Sequence, residues 1–219
     1  MTSSDPGLLS ELAERLYAGD AKGVAELTQR ALEAKLDPQA VLRGALLPGM
    51  ERVGRDFKAG DLFIPEIIVA ARAMHAGVDV LRPHLVASDL QGQGKVVLGT
   101  VRGDLHDIGK KLVGIMFEGA GFTVVDLGHD VPPERFVQAV RDERPLLLGM
   151  SALLSTTMPM MKATMEALAG AGLAGAVKVM VGGAPVTQAW ADEIGAQGYA
   201  PDAVSAVERA RQLVSVQRG

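Results

Sequence analysis

Cysteine does not occur anywhere in the 219 residues. Its absence excludes disulfide bridges, iron–sulfur ligation and thiol catalysis, and is compatible with a reducing compartment without demanding one. An excess of one charge is missing too. Lys and Arg number 22 against 26 Asp and Glu, for a net charge of −4 with both signs scattered. No basic stripe argues for nucleic acid and no polybasic tract for a membrane surface, so neither partner is expected. Apolar runs never reach the roughly 18 residues a transmembrane helix needs. The first 30 residues carry Asp5, Glu11, Glu14 and Asp20 where a secretory leader would have a basic segment and an apolar core. A cytoplasmic protein is the expectation. What is present is ample apolar material, 48% of the chain, enough for one large core or two small ones.

The organising stretch is Gly103-Asp104-Leu105-His106-Asp107-Ile108-Gly109. Before it, Lys95-Val96-Val97-Leu98-Gly99-Thr100-Val101 is short, β-branched and bounded by Gly, as a buried parallel strand is. After it, Ile108, Leu112, Ile115 and Met116 recur at helical spacing. The loop therefore falls where a strand gives way to a helix, the edge of an α/β sheet at which ligands bind. His106 can offer an imidazole nitrogen to a metal while Asp104 accepts the other ring N–H. No second His, Cys or carboxylate follows at the spacing of a zinc site. One ligand suits a metal already held by the four equatorial atoms of a macrocycle. Taken alone, the same residues suit a histidine that merely caps a helix beside an Asp.

Alternation runs through the second half: strands at 95–101, 122–126, 146–150, 176–181 and 197–199, and helices at 108–119, 133–143, 157–170, 186–194 and 201–216. That pattern predicts a Rossmann-like, doubly wound parallel five-stranded sheet. Pro132-Pro133, Pro185 and Pro201 are placed at helix starts. Residues 1–88 read instead as an antiparallel helical bundle, with stripes at Leu8, Leu9, Leu12 and Leu16 and at Val24, Leu27 and Leu32. Asp37-Pro38 opens a third helix that Pro48 interrupts, and a long helix covers about 64–85. Residues 86–94 lose periodicity and gain Gly and Gln, as a linker does. The expected division is a helical domain at 1–88 and an α/β domain at 89–219.

Spacing then adds specificity. Gly109 is followed by 41 residues, 110 to 150, before Ser151-Ala152-Leu153, and by a further 28, 154 to 181, before Gly182-Gly183. The pattern D-x-H-x-x-G, S-x-L, G-G resembles the cobalamin-binding domain of methionine synthase and of the corrinoid proteins of methyltransferase systems. The upstream string Met50-Glu51-Arg52-Val53-Gly54, Phe57, Gly60, Leu62-Phe63-Ile64-Pro65-Glu66 and Ala70-Ala71-Arg72-Ala73-Met74 resembles the helical cap that precedes that domain. The resemblance covers nearly the whole chain.

It implies that His106 is the lower axial ligand of cobalt, with Gly103, Asp104, Ile108 and Gly109 beside it. Ser151 and Leu153 are implied to line the slot that takes the displaced nucleotide tail, although Leu153 would equally serve as core. Gly182-Gly183 would leave room for the phosphate and ribose, and Tyr199 belongs to the segment closing over the tail. Ser155, Thr156 and Thr157 stand where the family supplies the third member of an Asp, His, hydroxyl relay. Alignment from Ser151 gives that place to Thr157, a departure from the Ser of methionine synthase, and Ser155 is kept as a neighbour. Phe63 is implied to sit over the methyl-bearing face of the corrin. Ile67, Ala70 and Met74, counted 4, 7 and 11 positions on, share its helical face or are bundle core. His129 could approach the corrin rim, His75 and His84 read as solvated, and Met158, Met160, Met161, Met165 and Trp190 read as packing.

The implied function is that of a corrinoid protein, methylated in turnover, carrying a methyl group between a substrate-specific methyltransferase and a methyl-accepting one, with a reductive activator as a further partner. No independent turnover is expected, and substrate identity resides in the partners. The alternatives are a cobalamin-dependent sensor, for which no output motif is evident, and the small subunit of an adenosylcobalamin mutase, which lacks such a cap.

Overall fold

A computed structural model describes residues 5–85 and 93–215. Contacts divide the chain into two units, one made chiefly of the residues before 92 and the other of those after. The expected boundary after residue 88, and all but the end of the expected linker, lie outside the described residues.

The first unit is helical: α1 (Pro6–Tyr17), α2 (Ala21–Glu33), α3 (Pro38–Val41), α4 (Leu47–Ala59) and α5 (Ile64–Leu81). Aspartates start the first three. Asp5 accepts from the Gly7 and Leu8 amides, Asp20 from Gly23 and Asp37 from Gln39, at 2.9–3.2 Å, each satisfying an amide that the helix leaves unpaired. Leu12, Leu16, Val24 and Leu27 are buried and Leu8, Leu9 and Leu32 half-buried, so the stripes read from sequence face inward. Pro48 does not interrupt the third helix as expected. Residues Leu42–Leu46 form a wide π turn in which the Leu47 amide reaches back to the Leu42 carbonyl, and α3 passes into α4 without a break. The added residue in that turn accommodates a proline that lacks an N–H and would otherwise crowd the carbonyl four residues back. α5 stops at Leu81 and tightens into a 3₁₀ turn at Arg82–His84, where Pro83 has no N–H to continue the helical bonding.

The second unit alternates β1 (Gly94–Thr100), α6 (Ile108–Gly119), β2 (Phe122–Asp126), α7 (Pro133–Glu143), β3 (Leu147–Ser151), α8 (Pro159–Gly170), β4 (Lys178–Gly182), α9 (Gln188–Ile194), β5 (Gly198–Tyr199) and α10 (Ala203–Ser215). All strands run parallel in the order β2-β1-β3-β4-β5. The sequence alternation is thus observed, with ends moved by one or two residues. Pro185 and Pro201 stand ahead of their helices rather than in them. Thr187 accepts from the Trp190 amide and Asp202 from the Ser205 amide, so side-chain oxygens mark the helix starts. Val97, Leu148, Val179 and Val181 meet Phe136, Val140, Met161 and Ile194 in one apolar core. Met158, Met160, Met165 and Trp190 pack against it, as expected. Among the described residues no helix is long and apolar enough to cross a membrane.

Candidate functional site

With this strand order, the chain leaves β1 toward one side of the sheet for β2 and returns past it to β3. The carboxyl ends of β1 and β3 therefore flank the crevice where the winding reverses, the usual ligand position in an open parallel sheet. Register carries three separated motifs to that edge. Thr100 pairs with Ser151 and Ser151 with Gly182, so the ends of β1, β3 and β4 stand abreast.

The loop after β1 brings Asp104 under the sheet edge, where its side chain is fully buried. Its two oxygens have separate tasks. Oδ1 accepts from the His106 backbone N–H at 3.1 Å and lies 2.8 Å from His106 Nδ1. Oδ2 accepts from the Leu153 and Leu154 amides at 2.7 and 3.2 Å and from the Thr157 hydroxyl at 2.8 Å. Burial alone would raise the pKa of this carboxyl. The Leu153 and His106 amides, the His106 ring and the Thr157 hydroxyl outweigh it and hold the group well below the usual carboxylate range.

That decides the tautomer. An ionised carboxylate only accepts, so Nδ1 of the neutral ring must carry the proton and donate it. Nε2 is left with a lone pair and has no partner among the described residues. The ring is half exposed, and Leu105 and Ile108, close by in sequence, and Leu153 and Leu154, whose amides hold Asp104, are exposed as well. A set of exposed large apolar side chains of this kind marks a surface that something covers. A Cβ added to Gly109 would meet nothing within 4 Å, so the first turn of α6 is open there. Among the described residues no group of three or more His, Asp or Glu could hold a metal ion, so His106 stands as a single ring rather than one of a ligand set.

Of the other residues singled out from sequence, Thr157 joins the Asp104 network and Ser155 does not; it is exposed. Ser151 and Tyr199 are half-buried, with Tyr199 paired to Val181 in the strand beside it. The glycine pair serves the chain itself. At Gly183, with φ of 124°, a Cβ would lie 1.9 Å from the Ala152 carbonyl oxygen, and at Gly182 one would lie 2.9 Å from that of Ala200. At each glycine the place a Cβ would take is filled by neighbouring backbone. His129 is exposed in the loop after β2.

Three contributors went unnoticed in the sequence. Thr100 looked like one more β-branched strand residue, yet its buried hydroxyl donates to the His106 carbonyl at 3.0 Å. Lys110 is buried in the first turn of α6 and paired with Asp126, whose Oδ1 also accepts from the Gly128 amide. Asp130 accepts from the Gly103 amide at 2.7 Å. Its position after Gly128-His129 was the one available signal, a short polar turn at a strand end.

Comparison with known proteins bears on what covers this surface. Residues 94–208 match the B12 binding domain model, and residues 8–82 match a second B12 binding domain model. The chain belongs to the B12-binding family. It is 43% identical over 210 residues to a corrinoid protein of Desulfitobacterium hafniense, covering 94% of this chain and 97% of that one. It is 39% identical over 214 residues to trimethylamine corrinoid protein 1 of Methanosarcina acetivorans, covering 97% and 99%. Among solved structures, the methanol:cobalamin methyltransferase complex of Methanosarcina barkeri matches with a TM-score of 0.87 at 32% identity, covering 98% of this chain and 81% of that one.

The residues of this B12-binding chain fit a corrinoid on chemical grounds. A flat macrocycle that needs one axial nitrogen, an apolar surround and no side chain in its way would find all three at His106, the exposed leucines and isoleucine, and Gly109. On the helical unit Phe63 is 68% exposed, and Ile64, Ile68 and Val69 are exposed with it. Ile67, Ala70 and Met74, by contrast, are buried. The sharing of one face expected from sequence fails because Phe63 is not helical. At φ −115° and ψ 173° it is the extended residue before α5, so helical counting cannot start from it.

Proposed function

We propose that this chain is a methyl-carrying corrinoid protein, serving between a substrate-specific methyltransferase and a methyl-accepting one. The observation that carries the reading is the chain of contacts from Thr157 through Asp104 to His106, which ends in a free Nε2 on an exposed apolar surface. The names of the relatives, methylamine corrinoid proteins among them, support it, and the sensor alternative finds no support there.

Bound corrinoid supplies the transfer chemistry, its cobalt taking up and giving up the methyl group. The chain's own residues bind and aim. His106 would hold the cobalt of the bound group through Nε2. Asp104 fixes the tautomer and the ring plane, and Thr157 together with the Leu153 and Leu154 amides keeps Asp104 ionised. Leu105, Ile108, Leu153 and Leu154 would pack against the bound group and keep water from it. Phe63, exposed on the helical unit, would shield the bound group from solvent. Ser151, Leu153, Gly182, Gly183 and Tyr199 remain the proposed neighbours of the nucleotide tail. A reductive activator is proposed as a third partner.

The test is reconstitution with methylcobalamin in dim light. The unaltered chain should show the visible spectrum of an imidazole-ligated corrinoid, and His106→Ala should stay folded, bind more weakly and lose that spectrum. An unchanged spectrum in the variant overturns the ligand assignment. Methyl transfer through added methyltransferases then tests the carrier role.

A further inference from the structure

Asp130 adopts a left-handed backbone, φ 54°, in an exposed loop, a conformation that few residues other than Gly take up. Two bonds explain why it is held there. Its Oδ1 accepts from the Gly103 amide at 2.7 Å, and its own amide donates to the Asp104 carbonyl at 3.0 Å. One residue of the loop after β2 thus brackets the two residues from which the His106 segment departs.

The bracketing loop is itself fixed. The Thr100 amide donates to the Gly128 carbonyl at 3.0 Å and the Val131 amide to the Thr100 carbonyl at 2.9 Å. Asp126, at the loop's start, is paired with buried Lys110 in the first turn of α6. Thr100 in turn holds the His106 carbonyl through its hydroxyl. The loop between Asp104 and His106 is therefore tied at its entry by Asp130, at its side chains by Asp104, and at its exit by Thr100.

We propose that Asp130 is a positioning residue for His106: by holding the Gly103 amide and the Asp104 carbonyl, it sets the direction in which the imidazole Nε2 is presented. The inference rests on the reading of His106 as an axial ligand, and its test separates the two. The backbone conformation and the acceptor oxygen are separable, because Asp130→Gly accepts φ near 54° freely but has no acceptor, while Asp130→Asn tolerates the same backbone and keeps a carbonyl oxygen.

The experiment has two readouts on the full chain. Amide hydrogen exchange without corrinoid should find the Gly103 N–H slow in the unaltered chain and in Asp130→Asn despite its exposed position, and fast in Asp130→Gly. In methylcobalamin-reconstituted protein, the ratio of imidazole-bound to unbound corrinoid in the visible spectrum should fall about fivefold in Asp130→Gly, the worth of one such hydrogen bond, and stay within about twofold in Asp130→Asn. Fast Gly103 exchange in the unaltered chain, an unchanged ratio in Asp130→Gly, or an equal loss in Asp130→Asn would overturn the proposal. Absence of the imidazole-bound spectrum from the unaltered chain would overturn the ligand reading instead, and the exchange data would still decide whether Asp130 holds the loop.

Discussion

Thr157 and Asp104, 53 positions apart in the chain, meet at 2.8 Å between the hydroxyl and Oδ2. The same hydroxyl lies 2.9 Å from the Leu154 carbonyl, so its one proton is shared between two acceptors, one of them charged. Thr157→Val keeps the shape and removes the donor. The variant should lose about 1.5–3 kcal/mol in urea unfolding, the range for a hydrogen bond to a charged group, and Thr157→Ser should recover most of it. Equal stability of Val and Thr at this position would show that the two backbone amides suffice.

Asp104 also sets an acid limit on the fold. Its carboxyl is held below the ordinary range in the folded chain, so in mildly acidic solution the unfolded chain binds more protons than the native one. The stabilisation is complete above the unfolded value of about 3.9 and is lost as pH falls through the lower folded value. Asp104→Asn should be destabilised at pH 7, and the gap in urea midpoint should narrow at pH 3. A gap that does not change with pH would mean that the carboxyl titrates alike in both states.

Two glycines should respond in opposite ways. Gly183→Ala places a methyl group against the Ala152 carbonyl at a positive φ, and should cost about 3 kcal/mol in thermal or urea unfolding. Gly109→Ala meets open space in a helix and should leave stability unchanged or raise it by up to about 1 kcal/mol. Its expected defect is in methylcobalamin affinity, weakened about tenfold; unchanged binding would take Gly109 out of the site.

Phe63 is exposed, so Phe63→Ala should unfold at nearly the same urea concentration as the unaltered chain. Bound methylcobalamin should lose its cobalt–carbon bond faster under fixed illumination. An equal photolysis rate would remove Phe63 from the proposed shield.

The site was legible where its chemistry lies in one short string. Asp104 and His106 lie two apart, and an extended segment between them suffices to bring carboxylate and ring together. Thr157 was reachable only by spacing from Ser151, since Ser155 and Thr156 offer the same hydroxyl chemistry; burial and direction separate them. Thr100 was invisible, and Asp130 marked only by its polar turn, because their partners are backbone groups, which every residue has and no pattern displays. The helical phase on α5 failed because its origin lay one residue outside the helix. The alternation of strands and helices was readable because buried parallel strands are short and nearly continuous in apolar residues, whereas the π turn at Leu42–Leu46 answers a local steric problem with no periodic signature.

The side-by-side pairing of Thr100, Ser151 and Gly182 gives the chain a fixed ruler at one edge of the sheet. Distances among those positions depend on strand pairing, not on how much polypeptide separates them. The turn at Gly172 and Gly175, between α8 and β4, enters the sheet from the opposite edge. A peptide tag spliced into that turn should therefore leave corrinoid binding intact, while a single residue deleted within β3 should abolish it.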